Sequence, residues 1–220
     1  MDRLTGQAQL SPAEAIVLQE RLAERVVRAD RLGAVRRVCG LDVHYDEAGR
    51  TARAAVVVMG LPGLETIEHA IARRPASFPY VPGLLSFREM PAALAALEAL
   101  TVRPDLLLCD GQGIAHPRRC GLASHLGLAA DLPSIGVAKT RLVGEHREPG
   151  ASRGAWAPLV DAGEEIGAAL RTRAGVKPVY VSIGHRVSLA TAIRLVLACS
   201  PRYRIPEPLR AADRLARGRL

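Results

Sequence analysis

The sequence predicts one α/β domain over residues 1–220, an antiparallel three-strand meander followed by helices and strands that alternate on a mixed sheet. Three observations predict it. Three β-rich segments come in succession, separated only by turn residues. Two short apolar runs, residues 106–109 and 134–138, read as strands buried on both faces. Segments of helical period fall between and after them. Taken in order, Ser11-Pro12-Ala13-Glu14 is a capping box with proline at the first helical position. Apolar residues recur through Ile16, Leu18, Leu22 and Val26, so a helix is expected to about Leu32. Strands at 35–45, 52–59 and 64–72 follow, with Asp46-Glu47-Ala48-Gly49 and Leu61-Pro62-Gly63 as the turns. A proline-rich loop spans 75–82, and the next helix runs from Pro91 to about Leu100. Strand 106–109 leads through a polar loop to a helix near 122–130 and then to strand 134–138. Residues 141–158, rich in Gly, Arg and Glu, read as an exposed excursion. Residues 166–172 and 179–183 read as late strands, and 189–199 and 209–216 as closing helices. No repeat and no long linker divides the chain.

Composition excludes several classes. With 49% hydrophobic and 24% charged residues the chain is globular, and with 3% aromatics its core must be built from Ala, Val, Leu and Ile. The opening MDRLTGQAQL has no apolar run behind its charges, so no secretory signal is expected and a cytoplasmic location is. The richest apolar stretch, 54–64, is broken by Pro62 and is too short to span a bilayer. Cys39, Cys109, Cys120 and Cys199 have no CxxC spacing, which speaks against a zinc ribbon or a disulfide framework. A monomer is expected, since no heptad or long apolar edge argues otherwise. The 30 Lys+Arg against 22 Asp+Glu give +8. Only Lys139 and Lys177 are lysines; the other 28 cations are arginines. Such a bias also arises from a GC-rich genome, so the charge alone does not establish a nucleic-acid partner. It does single out the lysines, because a site needing only positive charge would have drifted to Arg.

Three carboxylates stand out. Asp42 lies inside the apolar strand Val38-Cys39-Gly40-Leu41-Asp42-Val43, where a lone charge needs a partner. Asp110 ends the run Leu106-Leu107-Leu108-Cys109 just before Gly111-Gln112-Gly113, the place where open α/β sheets bind ligands. Either Asp can instead be a plain turn cap. Glu89 closes Ser86-Phe87-Arg88-Glu89, itself a possible capping box, but that register puts Pro91 inside the helix. With Pro91 at the first helical position, Glu89 lies just outside the helix and is free to ligate. Carboxylates converging from separate elements favour hard ions such as Mg²⁺ or Mn²⁺, which suit phosphodiester hydrolysis. Cys39 and Cys109 read as apolar fillers.

Longer blocks follow one another along the chain: Gly40-Leu41-Asp42-Val43, Pro79-Tyr80-Val81-Pro82-Gly83-Leu84-Leu85-Ser86-Phe87-Arg88-Glu89 and Asp110-Gly111-Gln112-Gly113-Ile114-Ala115-His116-Pro117-Arg118. Further blocks are Gly121-Leu122-Ala123-Ser124-His125-Leu126-Gly127, Pro133-Ser134-Ile135-Gly136-Val137-Ala138-Lys139, Gly184-His185-Arg186-Val187-Ser188-Leu189 and Pro206-Glu207-Pro208-Leu209-Arg210-Ala211-Ala212-Asp213. In these blocks and their order, over nearly the whole chain, the sequence resembles the endonuclease V family of deoxyinosine repair nucleases.

The resemblance implies a ribonuclease H-like mixed sheet and Mg²⁺-dependent nicking of DNA at the second phosphodiester bond 3′ to deoxyinosine, with Mn²⁺ able to substitute. It implies that Asp42, Glu89 and Asp110 hold the metal, that Lys139 stands beside the scissile phosphate, and that Asp213 supports the metal and its waters. Tyr80, between Pro79 and Pro82, is the implied wedge that fills the gap left by an extruded base; the alternative is a tyrosine packed on the following helix. Gly83, Gly111, Gly113, Gly121 and Gly136 suit either close approach to a flipped base or tight packing. His116 reads as a phosphate or water contact or as an exposed loop residue, and His125 as a helix-face residue packed on the sheet. Arg118 and Arg119 read as phosphate contacts or as solvated arginines. His44 departs from the small residue the family often has there, which puts the local groove shape in doubt. Rival readings are a related nuclease preferring inosine-containing RNA or branched DNA, and a non-catalytic nucleic-acid-binding protein. A Rossmann-type enzyme lacks its GxGxxG.

Overall fold

The structure is a computed structural model that describes residues 10–219; most of the opening segment that argued against a secretory signal lies outside them. Its centre is an eight-stranded sheet in the order β3-β2-β1-β4-β5-β8-β7-β6. Strands β1 (Arg37–Tyr45), β2 (Thr51–Gly60) and β3 (Thr66–Pro75) form the expected antiparallel meander. β4 (Leu106–Asp110) and β5 (Ser134–Ala138) join β1 in parallel. β8 (Val179–His185), β7 (Glu164–Leu170) and β6 (Trp156–Asp161) complete the sheet in antiparallel. This is the ribonuclease H-like mixed sheet. Alternation along β1 sends Cys39 and Leu41 to one face, under α2 (Leu85–Glu98) and α3 (Leu122–Ala130). Val38 goes to the other, under α4 (Leu189–Ala198) and α5 (Glu207–Ala216). The parallel strands β4 and β5 are buried on both faces, as their unbroken apolar runs require.

Three elements differ from expectation. Helix α1 (Pro12–Glu24) keeps its Ser11–Glu14 capping box but stops eight residues short of Leu32. The chain after it serves as a strap: Val27 and Arg31 pair with the Arg186 backbone, and Asp30 accepts from Ser188 N and Thr191 Oγ1 at the start of α4. Helix α2 begins at Leu85, so Pro91 lies inside it and Glu89 is helical rather than outside the helix. A mid-helix proline costs about 3 kcal/mol. Carrying the helix through it buries both Phe87 and Met90, at roughly 1.5–3 kcal/mol each. Burial wins. Third, the excursion at 141–158 gives way at Trp156 to β6, whose Ala157 and Leu159 are buried while Trp156, Pro158 and Val160 are exposed. A proline inside the run concealed an edge strand, where a missing donor is tolerated.

Candidate active site

Leu41 pairs with Cys109, so the next residues, Asp42 and Asp110, stand side by side, where β4 ends and β1 runs on to Tyr45. Asp42 shares its face with Val38 and Gly40, where α5 packs and supplies Asp213. Glu89 enters from the opposite layer on α2, buried, and accepts a hydrogen bond from Tyr45 Oη at 3.4 Å. Lys139, just past β5, donates from Nζ to Asp110 Oδ2 at 2.5 Å. The predicted Asp42, Glu89, Asp110, Lys139 and Asp213 are thus brought to one end of the sheet by three strands and two helices.

Electrostatics bind the group together. Burial, reinforced by the charge of Asp110, pushes the Asp42 carboxyl up to about 7. Burial and then the Asp42 charge push Glu89 up to about 8. Burial works against the Lys139 ammonium, but its hydrogen bond to Asp110 and the acids around it outweigh that and raise its pKa. Among the described residues, no three His, Cys, Asp or Glu side chains close on a common point as a finished ligand set; Asp110 is drawn to Lys139 instead. Rotating an aspartate costs far less than crowding three acids without a counter-charge, so the acids can turn onto a shared cation. An all-oxygen, cation-deficient set fits a hard divalent ion.

Beside the acids opens a cavity of about 400 Å³ whose walls include Tyr80, Gly83, Gly111, His116, Gly121 and Lys139, with Asp110 shared between cavity and acids. Tyr80 is 72% exposed and does not pack on α2; exposed Pro79 and Pro82 flank it. Gly83 takes φ +81°, and its carbonyl accepts from Gln19 Nε2 and Arg118 Nη2. Arg118 also donates to Gln19 Oε1, so its guanidinium braces the cavity wall. Arg119, expected as a phosphate contact or a solvated residue, is instead clamped by Asp161 and Glu164. His116 is buried, accepts from Arg118 N at its Nδ1, and is pushed down to about 4 by burial and the Arg118 charge. It is neither exposed nor charged.

Gly113 and Gly136 do not line the cavity. A Cβ on Gly136 would stand 2.4 Å from Gly113 N, and one on Gly113 would stand 2.0 Å from Ile183 O. These two glycines let the loop after β4 lie on β5 and β8; tight packing is their role in the fold. His125 is buried, but its neighbours are Ser86 and Phe87 of α2. Cys39 and Cys109 are buried fillers. Sequence reasoning missed two residues. Gln19 is a fully buried amide on the face of α1 that also buries Ala15 and Leu22, and a polar residue in that apolar stripe was the signal for it. Tyr45, the partner of Glu89, carried no signal, since the pair spans 44 residues.

Acids gathered at the strand ends of this sheet, with a lysine and a cavity sharing one of them, define a metal-dependent nuclease, a hydrolase of phosphodiester bonds. A sequence model of the Endonuclease V family matches residues 20–214. Endonuclease V of Roseiflexus sp. (strain RS-1) is 60% identical over 206 residues, 94% of this chain and 92% of that protein. Among solved structures, the endonuclease V of Streptomyces avermitilis superposes with a TM-score of 0.91 at 50% identity, covering 94% of this chain and 92% of that one. Ciona intestinalis endonuclease V, solved in complex with a 24-mer DNA containing an inosine followed by a ribo-adenosine, superposes with a TM-score of 0.81 at 31% identity, over 94% and 96% of the two chains. The chain belongs to the endonuclease V family.

Proposed function

We propose that the protein is a DNA repair endonuclease that hydrolyses the second phosphodiester bond 3′ to deoxyinosine, using Mg²⁺, with Mn²⁺ able to replace it. The observation that carries this reading is the double role of Asp110, which belongs at once to the acidic cluster and to the cavity wall. A base held in the cavity therefore brings its own backbone to the acids. The inosine-containing DNA bound by the Ciona relative supports the substrate.

Asp42, Asp110 and Glu89 would hold the ion. When bound, it supplies an activated water and neutralises charge on the phosphate oxygens. Asp213 adds negative charge beside Asp42 from α5 and would support the ion and its waters. Lys139 meets the charge of the scissile phosphate from the cavity side. Tyr80 stacks into the gap left by the extruded base, held by Pro79 and Pro82. Hypoxanthine has no exocyclic amine, so backbone groups about Gly83 and Gly111 admit it and exclude guanine by clash. One eight-stranded sheet runs from Arg37 to His185, which supports reading residues 1–220 as one endonuclease V-like domain.

The test uses matched DNA and RNA strands, each with one inosine or one adenine, with Mg²⁺, with Mn²⁺ and with neither. Nicking one nucleotide beyond inosine in DNA, only with metal, is the expected result. Equal cleavage of the adenine strand would remove the lesion specificity, and faster cleavage of the RNA would reassign the substrate.

A further inference from the structure

Across the meander from the acids lies a row of cations that the reaction does not use. His44 pairs directly with Arg53 on β2, and Arg53 pairs directly with Arg73 on β3. Partners in register share a face, and side chains two apart on a strand share it too. The row therefore lies on the face of Asp42, one rung further along β1. Like charges directly opposite each other destabilise a sheet, yet here the guanidiniums of Arg53 and Arg73 stand on paired positions, with the His44 imidazole next in line. Among the described residues neither Arg53 nor Arg73 has a carboxylate within ion-pair distance, although nine other pairs form in the molecule. Arg53 Nε is buried without a hydrogen-bond partner. Its Nη1 would stand 3.0 Å from a Cβ on Gly218, so the guanidinium rests just past α5, near Arg217, which is paired with Asp213. His44 and Arg73 are exposed.

We propose that His44, Arg53 and Arg73 form a binding track for phosphates of the cleaved strand, on the 3′ side of the cut. The inference rests on the function proposed above, and the sheet order gives its polarity. The cavity is walled by β4, α2 and the residues after β5; the acids sit on β4 and β1; the cations follow on β1, β2 and β3. A strand whose inosine lies in the cavity and whose second 3′ phosphate lies at the acids must continue outward over β2 and β3. Neighbouring strands are about 4.8 Å apart, so the row covers roughly 10 Å of width before the reach of the arginines is added. An anion there removes the like-charge repulsion between the two guanidiniums.

The experiment compares the whole protein with Arg53→Gln, Arg73→Gln and the double variant, measuring affinity for inosine and adenine duplexes in Ca²⁺ over a range of salt. Each substitution is expected to weaken both duplexes by the same factor and to lower the slope of log affinity against log salt by about 0.9. On a duplex whose inosine strand ends just 3′ of the cut, all variants should bind as the wild type does. An unchanged salt slope on the full duplex overturns the track, and loss of the difference on trimming the 5′ side instead overturns its polarity. Arg73→Gln should leave the melting temperature unchanged or raised, since a like-charge contact is relieved; a lowered value would make Arg73 structural and overturn the proposal. Should the wild type bind inosine and adenine duplexes alike, the lesion assignment fails, while the salt slopes still judge the track.

Discussion

Asp110 concentrates the chemistry of the site in one side chain. It touches Lys139, raises the pKa of both Asp42 and Glu89, and forms part of the cavity wall. Asp110→Asn keeps the shape but removes a charge from the cation site, so nicking in Mg²⁺ should fall by about a hundredfold or more while inosine-DNA binding in Ca²⁺ is largely kept. Near-normal nicking by this variant would take Asp110 out of the metal set. In the function proposed above, Tyr80 acts by stacking. Its ring is exposed, so removing it leaves no hole in the core, and Tyr80→Ala should weaken capture of inosine DNA by about one to two orders of magnitude. Tyr80→Phe should be mild, since stacking needs no hydroxyl. Equal affinity of Tyr80→Ala and wild type, with unchanged circular dichroism, would end the wedge assignment. Both residues were visible in the sequence because each breaks its surroundings: an acid at the end of an apolar run, and an aromatic between prolines in a chain poor in aromatics.

At the scale of elements, the site depends on the seam where the loop after β4 crosses β5 and where α3 meets α2. Gly136→Ala drives a methyl to within 2.4 Å of Gly113 N, a backbone atom that cannot yield without moving the loop that begins at Asp110. Overpacking of this kind costs about 1–3 kcal/mol. Thermal melting should show that loss, and nicking should fall with it; an unaltered melt and activity would mean that the seam is loose. The α2–α3 contact adds a pH dependence. His125 is buried against Ser86 and Phe87, and burial pushes its pKa down to about 4. Its folded value lies below the unfolded one near 6.5, so the unfolded chain takes up the proton first. Its contribution is complete above pH 6.5 and is lost as pH falls toward 4, by up to roughly 3 kcal/mol. The stability difference between the wild type and His125→Gln in denaturant should therefore shrink as pH falls from 7 to 4, and a difference that stays constant would exclude His125 as an acid-sensitive group.

For the whole molecule, the acids are an electrostatic cost that the fold carries until a cation arrives. With Asp42 at about 7 and Glu89 at about 8, both above their unfolded values, these two acids subtract stability from the metal-free protein as pH rises from about 4 to 8, opposite in sign to His125. Mg²⁺ should therefore raise the melting temperature clearly at pH 8 and little at pH 5, where the acids are protonated and have no charge to neutralise. An equal shift at both pH values would place the ion elsewhere. Among the described residues no helix is long and apolar enough to cross a membrane. The sequence by itself determined the meander and the two buried strands and singled out Asp42, Asp110 and Lys139, because strand periodicity, a misplaced charge and a rare lysine are local signals. It misjudged α1, Glu89 on α2, and β6. In each case a local rule was overruled by packing: the strap onto α4, the burial of Phe87 and Met90, and an edge position that tolerates Pro158. Only the tertiary structure decided which side chains meet. Asp42 and Asp110 become neighbours through strand register, Tyr45 reaches Glu89 across 44 residues, and His44, Arg53 and Arg73 align across three strands. Register is fixed by which face each strand buries, and burial belongs to the folded molecule as a whole.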